Sequence, residues 1–188
     1  MKIGIFGPHG SGKSTLAYTL GSQAKLIGLD AKIINETARS CPFKLNQSFS
    51  KEACLWIYHT QIKKELEAKA RKCSVTICDR TAIDSFCYAK AVLSEGEYNS
   101  LSSRLEAIDW LSTYSQLIYV KNDMDVISDA YRVDDLEYLK EVQDCFQEIF
   151  EYLVHTKKIN IFAVTTSQIF EEQVSLYKIG SKLSVKYF

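Results

Sequence analysis

Two rhythms of apolar and polar residues run along the chain. Short, largely apolar runs at Lys2–Phe6, Ala31–Ile34, Ser74–Cys78, Leu117–Val120 and Ile159–Val164 read as strands buried on both faces. Between them, apolar residues recur at helical spacing. Ser14 to Leu26 carries Leu16, Ala17, Leu20 and Ala24 near one stripe, with Gly28 as its stop. Ser50 opens a helix to about Arg71, in which Cys54, Tyr58, Ile62 and Leu66 stand at steps of four. Helical segments are also predicted from Ile83 to Leu93, Ser100 to Leu111, Leu136 to His155 and Ser167 to Tyr177. Pro42 forbids a long helix around residues 37–43. Beyond Gly180 polar and apolar residues alternate, which suits an edge strand or a partner-binding end, and both readings stand. Strands alternating with helices need crossover connections. The expectation is therefore an α/β fold: one domain over 1–188, with a five-stranded, mostly parallel sheet covered by helices on both faces and a separate tail at 180–188.

Composition narrows the class. A chain of 188 residues with 46% hydrophobic content and two prolines can bury a core in one domain and is not disordered. Its 23 basic and 23 acidic residues cancel, which argues against a protein that coats nucleic acid through phosphate contacts. Six cysteines form no C-x-x-C pair and have no clustered histidines, so free thiols in a cytoplasmic protein are expected. The amino terminus reads as a core strand, not a signal peptide. No apolar run approaches the roughly eighteen residues of a membrane span.

The densest chemistry follows the first strand. Gly7, Gly12, Lys13 and Ser14 stand at the G-x-x-x-x-G-K-[ST] spacing of a P-loop, between an apolar strand and a helix. Glycines at 7, 10 and 12 allow consecutive N–H groups to point at one anion, and the helix adds its orphan donors and dipole. The cradle comprises Gly7, His9, Gly10, Ser11, Gly12, Lys13, Ser14 and Thr15, with the His9 side chain expected to face outward. Lys13 would reach the β- and γ-phosphates, and the Ser14 hydroxyl would hold Mg²⁺. A nucleoside triphosphate with magnesium is the expected ligand. The absence of an Asn-Lys-x-Asp stretch leaves GTP specificity without support.

In a parallel sheet, ligands gather beyond the carboxyl ends of the strands. The second strand ends at Asn35-Glu36, with Arg39 close behind, and the third at Asp79-Arg80. A carboxylate and two guanidiniums would thus face the γ-phosphate, with Asp79 holding magnesium or its water. Each has a plainer reading. Glu36 also suits a solvated loop, and Arg80 an ion pair with Asp79 or Glu36.

The P-loop, Asn35-Glu36-Thr37-Ala38-Arg39, and Asp79-Arg80-Thr81 followed by Asp84 and Tyr88 resemble the P-loop nucleoside and nucleotide kinases. Within them the pattern is most similar to the AAA-type ATPase branch that includes the ribosylnicotinamide kinase domain; deoxynucleoside and thymidylate kinases are more distant. The resemblance implies that Glu36 accepts or orients the acceptor hydroxyl and that Arg80 contacts the substrate or the transferring phosphate. It also implies that Asp129-Ala130-Tyr131-Arg132-Val133-Asp134 is a lid whose Arg132 closes on the site. Ala130 where the pattern has glycine, and a single arginine, depart from it, and a charge cluster at a helix start is the rival reading. On the helix that would wall the acceptor pocket, Trp56 or Tyr58 would stack a base and Gln61 bond its edge, unless the aromatics are core.

These residues point to an ATP- and Mg²⁺-dependent kinase acting on a nucleoside, nucleotide or similar riboside, with Lys13, Glu36, Arg80 and Arg132 as its catalytic set. The alternatives are an accessory NTPase within an assembly and a polynucleotide 5′-kinase. An oligomer is left open.

Overall fold

In the computed structural model, which describes residues 1–123, 136–156 and 159–171, five strands form one sheet. They are β1 (Lys2–Phe6), β2 (Ala31–Ile34), β3 (Val75–Asp79), β4 (Gln116–Lys121) and β5 (Ile161–Thr165). The helices are α1 (Lys13–Leu26), α2 (Lys51–Ala70), α3 (Asp84–Lys90), α4 (Glu95–Asn99), α5 (Ser103–Trp110), α6 (Leu136–Thr156) and α7 (Thr166–Phe170). The order across the sheet is β2-β3-β1-β4-β5, and every pairing is parallel.

The two-sided apolar strands explain the layers. Successive side chains of a strand point to opposite faces. Ile3 and Ile5, Val75 and Ile77, and Ile118 and Val120 pack on one side against Leu16, Ala17, Leu20 and Ala24 of α1. Phe6, Cys78, Leu117 and Tyr119 face the other side, where residues of α2, α3, α5 and α6 close over them. Each fully buried aliphatic or aromatic side chain of these two layers is worth about 1.5–3 kcal/mol relative to exposure.

Most differences from the predicted elements are at boundaries. The third strand runs one residue further than expected, so Asp79 is its last residue, paired with Ile5. Ser50 is the N-cap of α2, its hydroxyl accepting from the Ala53 N–H at 3.2 Å. Steps of four overshoot a helical turn by about 40° each. The buried face of α2 therefore leaves the Cys54–Tyr58 line and passes through Ile57, Gln61, Glu65 and Ala68, while Leu66 is half exposed. The sequence pattern does not predict the α4 turn; the reciprocal capping box of Ser94 and Glu97 sets it off from α3. Residues 37–43 form a 3-10 turn (Thr37–Ser40) and no long helix. The last expected helix is seen as α7, capped at Glu171, and the proposed lid and the tail lie outside the described residues. All six cysteines are free thiols. Among the described residues no helix is long and apolar enough to cross a membrane.

Candidate active site

The chain order makes β1 central, and its loop opens where the carboxyl ends of β2, β3 and β1 lie side by side. Gly7 has φ 144° and approaches β4 so closely that a Cβ there would stand 2.4 Å from the Val120 carbonyl oxygen. Gly12, at φ 86°, is the left-handed N-cap of α1. These two positions turn the loop back over the helix start, which an L side chain would resist.

Inside the loop, the Ser11 hydroxyl donates to the Pro8 carbonyl at 2.8 Å. The ammonium of Lys13 donates to that same carbonyl and to Ser11 Oγ at 3.2 Å. From outside, Thr166 at the start of α7 donates its hydroxyl to the Ser11 carbonyl at 3.1 Å. Burial, with the nearby Arg80 charge adding to it, brings the Lys13 pKa down to about 7. An arriving triphosphate would restore the charge-favouring environment and raise that pKa, so binding above pH 7 must take up a proton. Affinity should then fall with rising pH by up to about tenfold per unit over that range. Calorimetry in buffers of different protonation heat measures the uptake directly; none at about pH 8 would mean that Lys13 is fully charged before the nucleotide arrives.

Ser14 Oγ donates to Asp79 Oδ2 at 2.6 Å. A hydroxyl and a carboxylate held this close, beside a phosphate cradle, form the hard-oxygen set that suits Mg²⁺. Among the described residues no group of three or more His, Cys, Asp or Glu side chains is placed to hold a metal.

The second and third strand ends meet through their side chains. Arg80 Nε donates to Glu36 Oε1 at 2.6 Å, and Arg39 Nε to Glu36 Oε2 at 2.9 Å. Arg80 also donates from its Nη1 to the Tyr88 hydroxyl at 3.0 Å and to Asp84 Oδ1 at 3.4 Å. Asp84, at the start of α3, accepts the Thr81 N–H and hydroxyl, both at 2.8 Å. Burial works against ionisation of Glu36, yet the Arg80 charge and the hydrogen bonds from Arg39 and Arg80 hold its carboxyl down at about 2. Burial pushes the Tyr88 hydroxyl up to about 12, so it stays a neutral partner. Burial also raises Asp84, against the pull of Arg80 and Lys13.

A cavity of about 810 Å³ joins these parts. His9, Gly10, Gly12, Lys13, Ser14 and Thr15 line it from the loop side; Glu36, Arg39, Gln61, Asp79 and Arg80 line it from the strand ends and α2. Gly7 and Ser11 shape the loop from behind. Apolar walls come from Leu45, Phe49, Ile57 and Tyr88.

Several expectations need correction. Trp56 and Tyr58 do not line the cavity. On α2 the cavity side is taken by Ile57 and Gln61, one turn apart, and neighbours in sequence point about 100° away. Tyr58 is buried edge-on against Phe86, with ring centroids 5.4 Å apart, and Trp56 packs on the same core. Gln61 does line the cavity, but both hydrogens of its amide are bonded within the protein, to Glu65 and to the Arg80 carbonyl, which leaves no donor for a base edge. His9 does not face outward. Its ring stacks between Tyr88 and Tyr138, at 5.9 and 6.3 Å. Arg132 lies outside the described residues. Phe49 and Ile57 were missed as cavity walls. The i, i+4 spacing of Asp84 and Tyr88 behind Arg80 was a signal that could have paired them with it.

A parallel sheet with this loop after its first strand, and acidic and basic side chains at the adjoining strand ends, defines a P-loop domain. The chain belongs to the AAA domain family, whose model matches residues 2–163. No curated protein matches it in sequence. Among solved structures, deoxyadenosine kinase from M. mycoides with bound dATP superposes with a TM-score of 0.70 at 20% identity, covering 98% of this chain and 100% of that one. The same enzyme with the products dCMP and a flexible dCDP gives 0.67 at 20% identity, and with bound dCTP 0.62 at 21%. Each of these two covers 96% of this chain and 100% of the other. At such identity the likeness is one of fold.

Proposed function

We propose that this chain transfers the γ-phosphate of ATP to a hydroxyl of a nucleoside or similar riboside. The observation that carries this reading is the ion pair between Glu36 and Arg80, 2.6 Å across two neighbouring strand ends, on the wall of the cavity that the phosphate loop opens into. The likeness in fold to a deoxyadenosine kinase supports it.

The charges favour a hydroxyl acceptor over a phosphate. Arg80 is already answered by Glu36 and Asp84, and Arg39 by Glu36, so neither guanidinium is left as an uncommitted clamp for a second phosphate. Leu45, Phe49, Ile57 and the Tyr88 ring offer flat apolar surface of the kind that suits a base.

In this mechanism Lys13 and the loop amides hold the β- and γ-phosphates. Mg²⁺, held by Ser14 and Asp79, would supply charge that neutralises the phosphate oxygens. Glu36 stays ionised at every physiological pH and accepts a hydrogen bond from the acceptor hydroxyl. A carboxylate this acidic is a weak base, so its work is to orient the oxygen and take the proton late. That timing suits a loose transition state, in which the nucleophile has gained little positive charge. Arg80 stabilises charge on the transferring group.

Incubation with ATP and magnesium, alone and with panels of nucleosides and of nucleoside monophosphates, tests the reading. The expected result is one phosphorylated nucleoside per ADP formed. Phosphate release that no acceptor alters, with no phosphorylated product, would make the chain an NTPase instead.

A further inference from the structure

Glu36 and Arg80 meet beyond the end of the ladder that joins their two strands. The ladder between β2 and β3 ends with Ile34 opposite Cys78. Past it, one chain enters the Thr37–Ser40 turn, and the other takes Arg80 into a left-handed conformation, φ 91°, that residues with a Cβ rarely adopt. The Arg80 N–H still donates to the Ile5 carbonyl of β1 at 3.0 Å, but the β2–β3 ladder no longer ties it to the turn that carries Glu36.

We propose that Gln61 is a positioning residue for phosphoryl transfer, tying the turn that carries Glu36 to the backbone that carries Arg80, with Glu65 fixing which way its amide points. The role rests on the transfer reading above.

Gln61 is 1% exposed, on the inner face of α2. Its Oε1 accepts from the Thr37 hydroxyl at 2.8 Å, one residue after Glu36. Its Nε2 donates to the Arg80 carbonyl at 3.2 Å and to Glu65 Oε1 at 2.9 Å. The orientation is dictated by chemistry. An ionised carboxylate and a backbone carbonyl only accept, so the NH₂ must face both of them and Oε1 must face the Thr37 hydroxyl. Thr37 can donate there because its oxygen takes the Lys64 ammonium at 3.5 Å as a separate, weaker partner.

Glu65 is itself immobilised. Its carboxylate accepts from Lys2 Nζ at 2.7 Å, Trp110 Nε1 at 2.8 Å and the Tyr114 hydroxyl at 2.5 Å. The start of β1, α5 and the segment before β4 therefore anchor one glutamate. That glutamate orients one amide, and the amide spans the two strand ends. Both hydrogens of the Gln61 amide are taken, so it has no donor left for a ligand, which separates this role from donation to a substrate.

The test compares Thr37→Val, which keeps the shape and removes the donor, with Thr37→Ser, which keeps the hydroxyl, and with Gln61→Met. Thr37→Val and Gln61→Met should lower kcat by about ten- to a hundredfold with KM for ATP unchanged, and Thr37→Ser should retain wild-type kcat. A second readout does not need turnover: carbon NMR of the Glu36 carboxyl should show it titrating higher in Gln61→Met than in the wild type, because Arg80 is no longer held against it. Wild-type rates in both Thr37→Val and Gln61→Met, with the Glu36 titration unmoved, would overturn the proposal. So would equal losses of ATP binding and turnover that Thr37→Ser does not rescue. If the wild-type protein phosphorylates no acceptor, the transfer reading falls by itself, and the Glu36 titration alone decides whether Gln61 holds the pair together.

Discussion

Lys13→Ala should lower ATP-dependent turnover by about a hundred- to a thousandfold, the size of effect seen when one preorganised donor to developing charge is removed. The reason lies in what the ammonium does without a nucleotide. It is buried, bonded to the Pro8 carbonyl and Ser11 Oγ, and destabilised by desolvation and by Arg80. A bound triphosphate offers it a better set of partners. Removing it strips the γ-phosphate of its nearest cation but relieves a strained charge in the empty protein. The variant should therefore melt at or above the wild-type temperature while losing activity. Steady-state turnover and a thermal melt measure both halves, and undiminished turnover would remove Lys13 from the chemistry.

Glu36→Gln is the second large effect. An amide has no charge to hold Arg80 and accepts poorly from an acceptor hydroxyl that must give up its proton. Transfer should fall by about 10²–10⁴-fold, the range of a lost acid–base group, while ATP affinity, set by the loop, stays close to wild type. Equal loss of both would leave Glu36 only the task of holding Arg80. The same variant alters acid stability. In the wild type the Glu36 pKa is depressed from its ordinary 4.5 to about 2, so the pair contributes stability above the ordinary value that is lost as pH falls through that window. Glu36→Gln should flatten this part of the acid unfolding profile, read by circular dichroism.

How much of this was legible in the sequence depended on how local the determining physics is. The phosphate loop is contiguous and its glycines have one evident use, so Gly7 to Thr15 could be read directly. Glu36, Asp79 and Arg80 could be placed on one edge because all carboxyl ends of a parallel sheet open there; their contact further needs β2 and β3 to be neighbours, as they are. The wall of the cavity could not. Whether Trp56, Ile57 or Tyr58 looks inward depends on how α2 is rotated on the sheet, which is fixed by its packing with Phe86 and other residues distant in sequence. Gln61 lines the cavity, but its partners were invisible, since Glu65 is held by Lys2, Trp110 and Tyr114 from three other stretches. His9 illustrates the same limit: its stacking partner Tyr138 comes from α6.

The Thr166 hydroxyl reaches the Ser11 carbonyl across 155 residues of chain. Thr166 opens α7 directly after the edge strand β5, so that edge of the sheet and the loop after β1 share one brace. The backbone of the phosphate loop is thus constrained by a side chain that no local reading of the motif contains.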